Sequence, residues 1–270
     1  MSRWIVAVCA AGALVLGGVA HQADARPRWA TAKAAAIHPG VQTFTPSGQC
    51  TANFVFYDKK DVYIGQAGHC SSKGLPNETN GCTTAHYPLG TKVRIEGAAQ
   101  RGTIVYNSWA TMRSVGEKDE STCYGNDFAL VRIAPGDRAK VNPSIPVWGG
   151  PTGIDYHAGF GETTYTYGDS ELRAGIDALS PKFGVSTGDD YDGWTHGIYT
   201  VTPGIFGDSG SAVLGPTGGA LGVLSTVEVL PRPLENNASD IGKILEYMKR
   251  YTNLDAVMLA KGTVPFSGVL

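Results

Sequence analysis

The chain has 270 residues, with 22 Lys and Arg against 24 Asp and Glu and a net charge of −2. No Lys or Arg cluster interrupts that balance, which argues against a nucleic-acid surface. The length suits one large all-β domain or a unit of two small lobes, and neither repeats nor low-complexity stretches suggest anything longer.

Arg3 precedes an uncharged run from Trp4 to Ala20, and Ala23-Asp24-Ala25 then offers a small-x-small cleavage site. This order predicts a secretory signal peptide over residues 1–25. The competing reading is an uncleaved anchor, because the apolar run approaches a bilayer span. Alanine and glycine dilute that run, which favours cleavage. Cleavage removes Arg3 and Asp24 together, so the net charge stays at −2. Residues 26–36 are basic and alanine-rich and read as a short pro-segment or tail.

From Gln49 the texture is β. Ala52–Tyr57 and Asp61–Gly65 are aromatic and β-branched runs around the turn tetrad Asp58-Lys59-Lys60-Asp61. Thr91–Glu96 and Gly102–Tyr106 predict a second hairpin, and Asp127–Ile133 another strand. Pro135–Pro151 is rich in proline and glycine, as an inter-lobe linker would be. Strands resume at Thr163–Tyr167, Gly197–Val201 and Gly222–Val229. Near the end, Ile241, Ile244, Leu245, Met248 and Tyr251 recur at helical spacing behind Ser239 as a cap. Many short strands with glycine-rich turns predict a sandwich or barrel.

Of the five cysteines, Cys9 leaves with the signal peptide. An even number in an exported chain reads as disulfides, and Cys50, Cys70, Cys82 and Cys123 allow three pairings. A zinc site is disfavoured, because no Cys-x-x-Cys pair occurs.

Three segments carry chemistry: Gly65-Gln66-Ala67-Gly68-His69-Cys70, Asn126-Asp127-Phe128-Ala129-Leu130-Val131 and Gly207-Asp208-Ser209-Gly210-Ser211-Ala212. A serine hydroxyl is a poor nucleophile at neutral pH and needs an adjacent base. Imidazole has the pKa for that task, and a carboxylate on its far nitrogen fixes the tautomer. Each segment alone has an ordinary structural explanation as a turn or strand start.

Together the segments resemble the histidine, aspartate and serine signatures of the chymotrypsin-like serine peptidases, closest to their bacterial streptogrisin-like branch. The resemblance runs from about Ile37 to the C-terminal helix. It implies an all-β fold of two antiparallel six-stranded β-barrels, with the active site in the cleft between them and a C-terminal α-helix. It implies a peptidase domain over 37–252: a first barrel over 37–135, a linker over 136–151, and a second barrel with the helix over 152–252. Residues 253–270 are left as a tail. It implies His69 as general base, Asp127 as its orienting carboxylate and Ser209 as nucleophile. Backbone N–H groups of Gly207 and Ser209 would form the oxyanion hole. The resemblance further implies disulfides Cys50–Cys70 and, as the remaining pair, Cys82–Cys123. Ser225, Thr226 and Val227 take the place of the substrate-pairing segment.

The chain departs from the family pattern at Ser211, where a second glycine is usual. The pocket-base position is Pro203, not aspartate, so a preference for Lys or Arg is not expected. Val227 would make the pocket shallower, which favours small or medium apolar residues before the cut. Asp208 needs a cation if it is buried. Cleavage before Ile37 could supply an amine for it, and Arg173 is the other candidate. His38, His86, His157 and His196 read as loop or surface residues. Asn77-Glu78-Thr79 and Asn237-Ala238-Ser239 match the glycosylation pattern.

The expectation is therefore a secreted, monomeric serine endopeptidase. It would act on protein or peptide substrates, with no metal or other cofactor, no nucleic acid and no stable membrane association. An α/β-hydrolase esterase would need a histidine after the serine, and none follows Ser209. A metallopeptidase would need His-Glu-x-x-His, which is absent. The remaining alternative is a catalytically silent protein of the same fold that binds a partner.

Overall fold

The computed structural model describes residues 1, 27–75, 78–228 and 231–269. Residues 2–25 of the expected signal peptide, Arg26, Asn77 and Val229 lie outside the described residues. No described helix is long and apolar enough to cross a membrane.

The first lobe carries β1 (Gln42–Thr45), β2 (Gly48–Thr51), β3 (Val55–Tyr57), β4 (Val62–Gln66), β5 (Lys92–Ile95), β6 (Gly102–Asn107) and β7 (Ala129–Arg132). Two helices, α1 (Ser108–Val115) and α2 (Glu120–Gly125), sit between β6 and β7. The second lobe carries β8 (Thr163–Tyr167), β9 (Pro181–Asp190), β10 (Thr195–Thr200), β11 (Ala212–Leu214), β12 (Ala220–Val227), β13 (Asn236–Asp240) and helix α3 (Ile241–Tyr251). A last strand, β14 (Met258–Leu259), returns to the first lobe.

The second lobe meets the barrel expectation, closing in the order β10-β13-β12-β11-β8-β9. The first lobe differs. It is an eight-stranded curled antiparallel sheet, ordered β14-β3-β4-β7-β6-β5-β1-β2. The difference arises because one extended run bends at Ala52–Asn53, so that its halves β2 and β3 stand at separate places in the sheet. Hydrogen bonds from Ala52 N to Val41 O and from Asn53 N to Gly65 O mark the change of partner. The strand β14 adds to the other side of β3 by pairing Met258 with Tyr57.

Alternation builds each core. Val55, Ile64, Val93, Ile95, Ile104 and Val131 fill the first lobe, and Ile198, Val213, Leu221, Leu224 and Ala238 fill the second. A third cluster spans the interface, where Phe54, Phe128, Trp148, Leu214, Ile244 and Met248 pack together. Burying each such side chain contributes about 1.5–3 kcal/mol. The segment after residue 253 is not free of the domain: Gly262 N donates to Pro151 O, Ser267 N donates to Trp148 O, and Phe266 lies edge-on to Tyr165.

The cap of α3 is Asp240, not Ser239. Its Oδ1 accepts from Lys243 N at 2.6 Å. Its Oδ2 accepts from His196 Nε2 at 2.8 Å, while His196 Nδ1 donates to Asp189 Oδ1 at 2.7 Å. His196 is thus a buried histidine between two carboxylates, not the expected surface residue. Burial alone would lower its pKa, but hydrogen bonds and charge from Asp240 and then Asp189 hold it above the ordinary imidazole value. Asn237 is also buried, within β13, so its glycosylation pattern is not presented at the surface.

Replacing Asp240 removes a cap and leaves a buried imidazole short of one partner. Asp240→Ala should cost about 3 kcal/mol, lowering Tm by roughly 6–12 °C for a domain of this size. His196 stabilises fully below its unfolded pKa of about 6.5, and this contribution fades as pH rises through its raised folded value. The deficit of the variant in denaturant titrations should therefore be largest near pH 6 and smaller near pH 9. A deficit below about 1 kcal/mol at pH 6 would contradict this role.

Candidate active site

Asp127 lies in the short link between α2 and β7, and its neighbours are pinned. Ser108, the first residue of α1, donates its hydroxyl to Asn126 O at 2.8 Å and accepts from Phe128 N at 2.9 Å. His69 lies in a single 3-10 turn, Gly68–Ser71, directly after β4. The buried Asn107 secures that turn by donating to Gly68 O and Ser71 Oγ, while its own Oδ1 caps α1 through Trp109 N. One side chain thus fixes both the histidine turn and the helix behind it.

The Asp127 carboxylate is buried and accepts three hydrogen bonds. His69 N reaches Oδ1 at 2.8 Å, His69 Nδ1 reaches Oδ2 at 2.6 Å, and Ser225 Oγ reaches Oδ2 at 2.5 Å. The third donor crosses from the second lobe. Its cause is a bulge: β12 and β13 pair Leu224 with Ala238 and Thr226 with Asn237, which leaves Ser225 unpaired. A bulge re-aims a side chain in this way. The sequence reading gave Ser225 only a substrate-pairing role.

Burial would raise the pKa of Asp127, but the charge and hydrogen bonds of His69, then Ser225, hold it below the usual carboxylate value. Burial would likewise lower that of His69, and the Asp127 carboxylate outweighs it and holds His69 above the ordinary imidazole value.

Ser209 begins the turn before β11. It and His69 line one cleft of about 970 Å³ between the lobes. Among the described residues no hydrogen bond yet joins Ser209 Oγ to His69 Nε2; such contacts commonly tighten when substrate binds. The backbone N–H groups of Gly207 and Ser209 have no protein acceptor among the described residues, and both residues line the same cleft. Gly207 has φ +93°, a backbone conformation that favours glycine.

Ser225, Thr226 and Val227 line the cleft, and Pro203 does not. Its carbonyl instead accepts from Arg173 Nη2 at 2.9 Å. The cleft wall is completed by Asn236, which the sequence reading missed. Its amide donates to Thr226 O and Gly204 O, and its Oδ1 accepts from Gly204 N at 2.7 Å, so it fills space between two wall segments. Only the register of β12 and β13 reveals that juxtaposition. A second cavity of about 400 Å³, lined by His38, Glu96 and Asp169 among others, is not lined by His69, Asp127 or Ser209.

Asp208 is fully buried beside Ser209 in the chain. Its cation is Arg173, with Nη2 to Oδ2 at 2.7 Å, joined by Lys182 Nζ at 3.4 Å. Lys182 was not foreseen. Burial pushes its pKa down to about 8 and the Arg173 charge adds to this, while Asp208 pulls the other way. With the Ala36–Ile37 bond intact, Ile37 is fully buried in the first lobe and its N–H donates to Lys140 O. The disulfides are Cys50–Cys70 and Cys82–Cys123. The first joins β2 to the histidine turn, and the second joins α2 to the loop before β5.

Similar architecture occurs in solved structures. Protease A of Thermobifida fusca superposes with a TM-score of 0.53 at 17% identity, covering 85% of this chain and 100% of that one. Nocardiopsis protease gives 0.52 at 16%, covering 83% and 98%. A glutamic-acid-specific serine protease, described as using a histidine triad in substrate binding, gives 0.52 at 15%, covering 83% and 100%. The chain therefore has the fold of the bacterial chymotrypsin-like serine proteases. No protein-family model and no curated protein matches the sequence.

Removing one member of a buried ion pair strands its partner, typically at 3–5 kcal/mol. Arg173→Met should destabilise the protein by about 3 kcal/mol and cut Ser209-dependent turnover at least tenfold. Paired denaturation and ester-hydrolysis assays would check this, and wild-type values in both would contradict it.

Proposed function

We infer that the chain is a secreted serine endopeptidase using His69, Asp127 and Ser209. The observation that carries this reading is the His69–Asp127–Ser225 hydrogen-bonded row, placed in one cleft with Ser209 and the unpaired N–H groups of Gly207 and Ser209. The fold and the two disulfides support it further. The signal sequence read over residues 1–25 assigns it to the exterior.

Ser209 Oγ attacks the peptide carbonyl carbon while its proton passes to His69 Nε2. The negative oxygen so formed accepts hydrogen bonds from Gly207 N and Ser209 N. The C–N bond then breaks, His69 returns the proton to the departing amine, and an acyl-Ser209 ester remains. Water attacks that ester with His69 again taking the proton, and the restored Ser209 hydroxyl leaves the acid product. Asp127 holds His69 in the tautomer with Nε2 free and stabilises the imidazolium that forms.

The apolar side chains of Ile205, Phe206, Leu224 and Val227 line the cleft beside Ser209. The preference before the cut is accordingly for small or medium apolar residues. Peptide-library profiling checks this, and a preference for Lys or Arg would refute it.

Ser209→Ala should lower hydrolysis of a protein substrate by about 10⁴-fold or more, with an unchanged melting curve. Equal activity in wild type and variant would refute the peptidase reading. Because the chemistry needs neutral His69 and its pKa is raised, kcat/KM should fall as pH drops through a midpoint above 6.5. A rate profile flat down to pH 5 would contradict that role for His69.

A further inference from the structure

The peptidase reading leaves one question open: what keeps two N–H groups pointing into the cleft in a loop containing Gly207 and Gly210. Glycine at φ +93° and +91° permits backbone rotations that other residues resist. A peptide unit that turned over would replace a donor with a carbonyl oxygen, because N–H and C=O point to opposite sides of a trans peptide plane. Holding the carbonyl end of each unit therefore fixes where its N–H points.

We propose that two buried serine hydroxyls, Ser170 and Ser211, are positioning residues that lock the two oxyanion-hole peptides by their carbonyl ends. The first unit joins Phe206 to Gly207. Ser170 Oγ donates to Phe206 O at 2.5 Å, which turns Gly207 N–H the opposite way. The second unit joins Asp208 to Ser209. Ser211 Oγ donates to Asp208 O at 2.6 Å, reinforced by Ser211 N at 3.0 Å, which turns Ser209 N–H the opposite way. Both serines are buried, at 1% and 0% exposure, so neither hydroxyl has water as a ready alternative partner.

The surrounding contacts isolate these two as the deciding ones. The intervening unit is held through Gly207 O by Thr51 Oγ1 at 2.7 Å and Gln49 Nε2 at 3.1 Å, and its Asp208 N–H donates to Ile205 O. Ser209 O accepts from Thr51 N, and Gly210 O accepts from Asn53 Nδ2. Every carbonyl from Phe206 to Gly210 thus has a donor, while the N–H groups of Gly207 and Ser209 alone among residues 207–210 have no protein acceptor. Both units that carry those free donors are held at the carbonyl end by a buried serine hydroxyl, Ser170 for one and Ser211 for the other.

This inference rests on the peptidase reading, and one kinetic series separates the two. Wild type, Ser209→Ala, Ser170→Ala and Ser211→Ala are compared for kcat, for KM, and for inhibition by a peptide aldehyde, whose adduct with Ser209 is tetrahedral. Each hydroxyl deletion should lower kcat about tenfold with KM within twofold, because donor orientation matters most in the transition state. Aldehyde affinity should weaken by the same factor, and Ser211→Thr or Ser170→Thr should restore kcat to within threefold of wild type. Should an alanine variant fail to fold, Ser211→Gly and Ser170→Cys delete or weaken the same donor with a different volume, and the same losses are expected. Folded variants with wild-type kcat and aldehyde affinity, or with a raised KM alone, would overturn the inference while leaving the peptidase reading intact. A wild type no more active than Ser209→Ala overturns both.

Discussion

A carboxylate removed from water must be compensated on every side or it takes up a proton. Asp127 meets that demand with donors from both lobes: the backbone and ring of His69 from one, and the Ser225 hydroxyl from the other. The compensation is also the orientation. Because Nδ1 of His69 is committed to Asp127, Nε2 is the ring atom left to serve the cleft. Closing the two lobes on each other and fixing the His69 ring are therefore one event, and the interface core of Phe54, Phe128, Leu214 and Met248 drives it.

The loop carrying Ser209 obeys the same logic, with cations in place of neutral donors. Asp208 is buried and needs positive charge, which Arg173 and Lys182 supply from the second lobe itself. The loop carrying Ser209 is braced by β2, whose Thr51 bonds both Gly207 O and Ser209 O. Each lobe thus positions the other's reactive groups. A first-lobe strand holds the serine loop, and a second-lobe bulge completes the shell around the first-lobe aspartate.

Much of this was legible in the amino-acid sequence because the chemistry is local. Gly68-His69-Cys70, Asp127-Phe128-Ala129 and Gly207-Asp208-Ser209-Gly210 each sit where a strand meets a turn, and such short signatures survive without tertiary information. Runs such as Val62–Ile64 and Thr163–Tyr167 likewise announce strands. What stayed hidden depends on pairing across distance. The strand Pro181–Asp190 carries Gly184, Gly188 and two aspartates, so its β character comes from its neighbours β8 and β10, not from propensity. Helices α1 and α2 are too short to show a repeat, and Ser108–Val115 is stabilised by the buried Asn107 and by packing of Trp109 and Met112 on Tyr247. The role of Ser225 comes from a one-residue register shift that no linear pattern encodes. Asp240 displaced Ser239 as the cap because a strand, not a loop, leads directly into α3.

The central claim is that Ser209 forms a covalent ester during turnover. Wild-type protein mixed with an activated ester of a small apolar acyl group, quenched in acid within the first turnover and digested, should yield one peptide carrying the acyl mass on Ser209. Absence of that adduct despite hydrolysis, or its appearance on another residue, would contradict the mechanism.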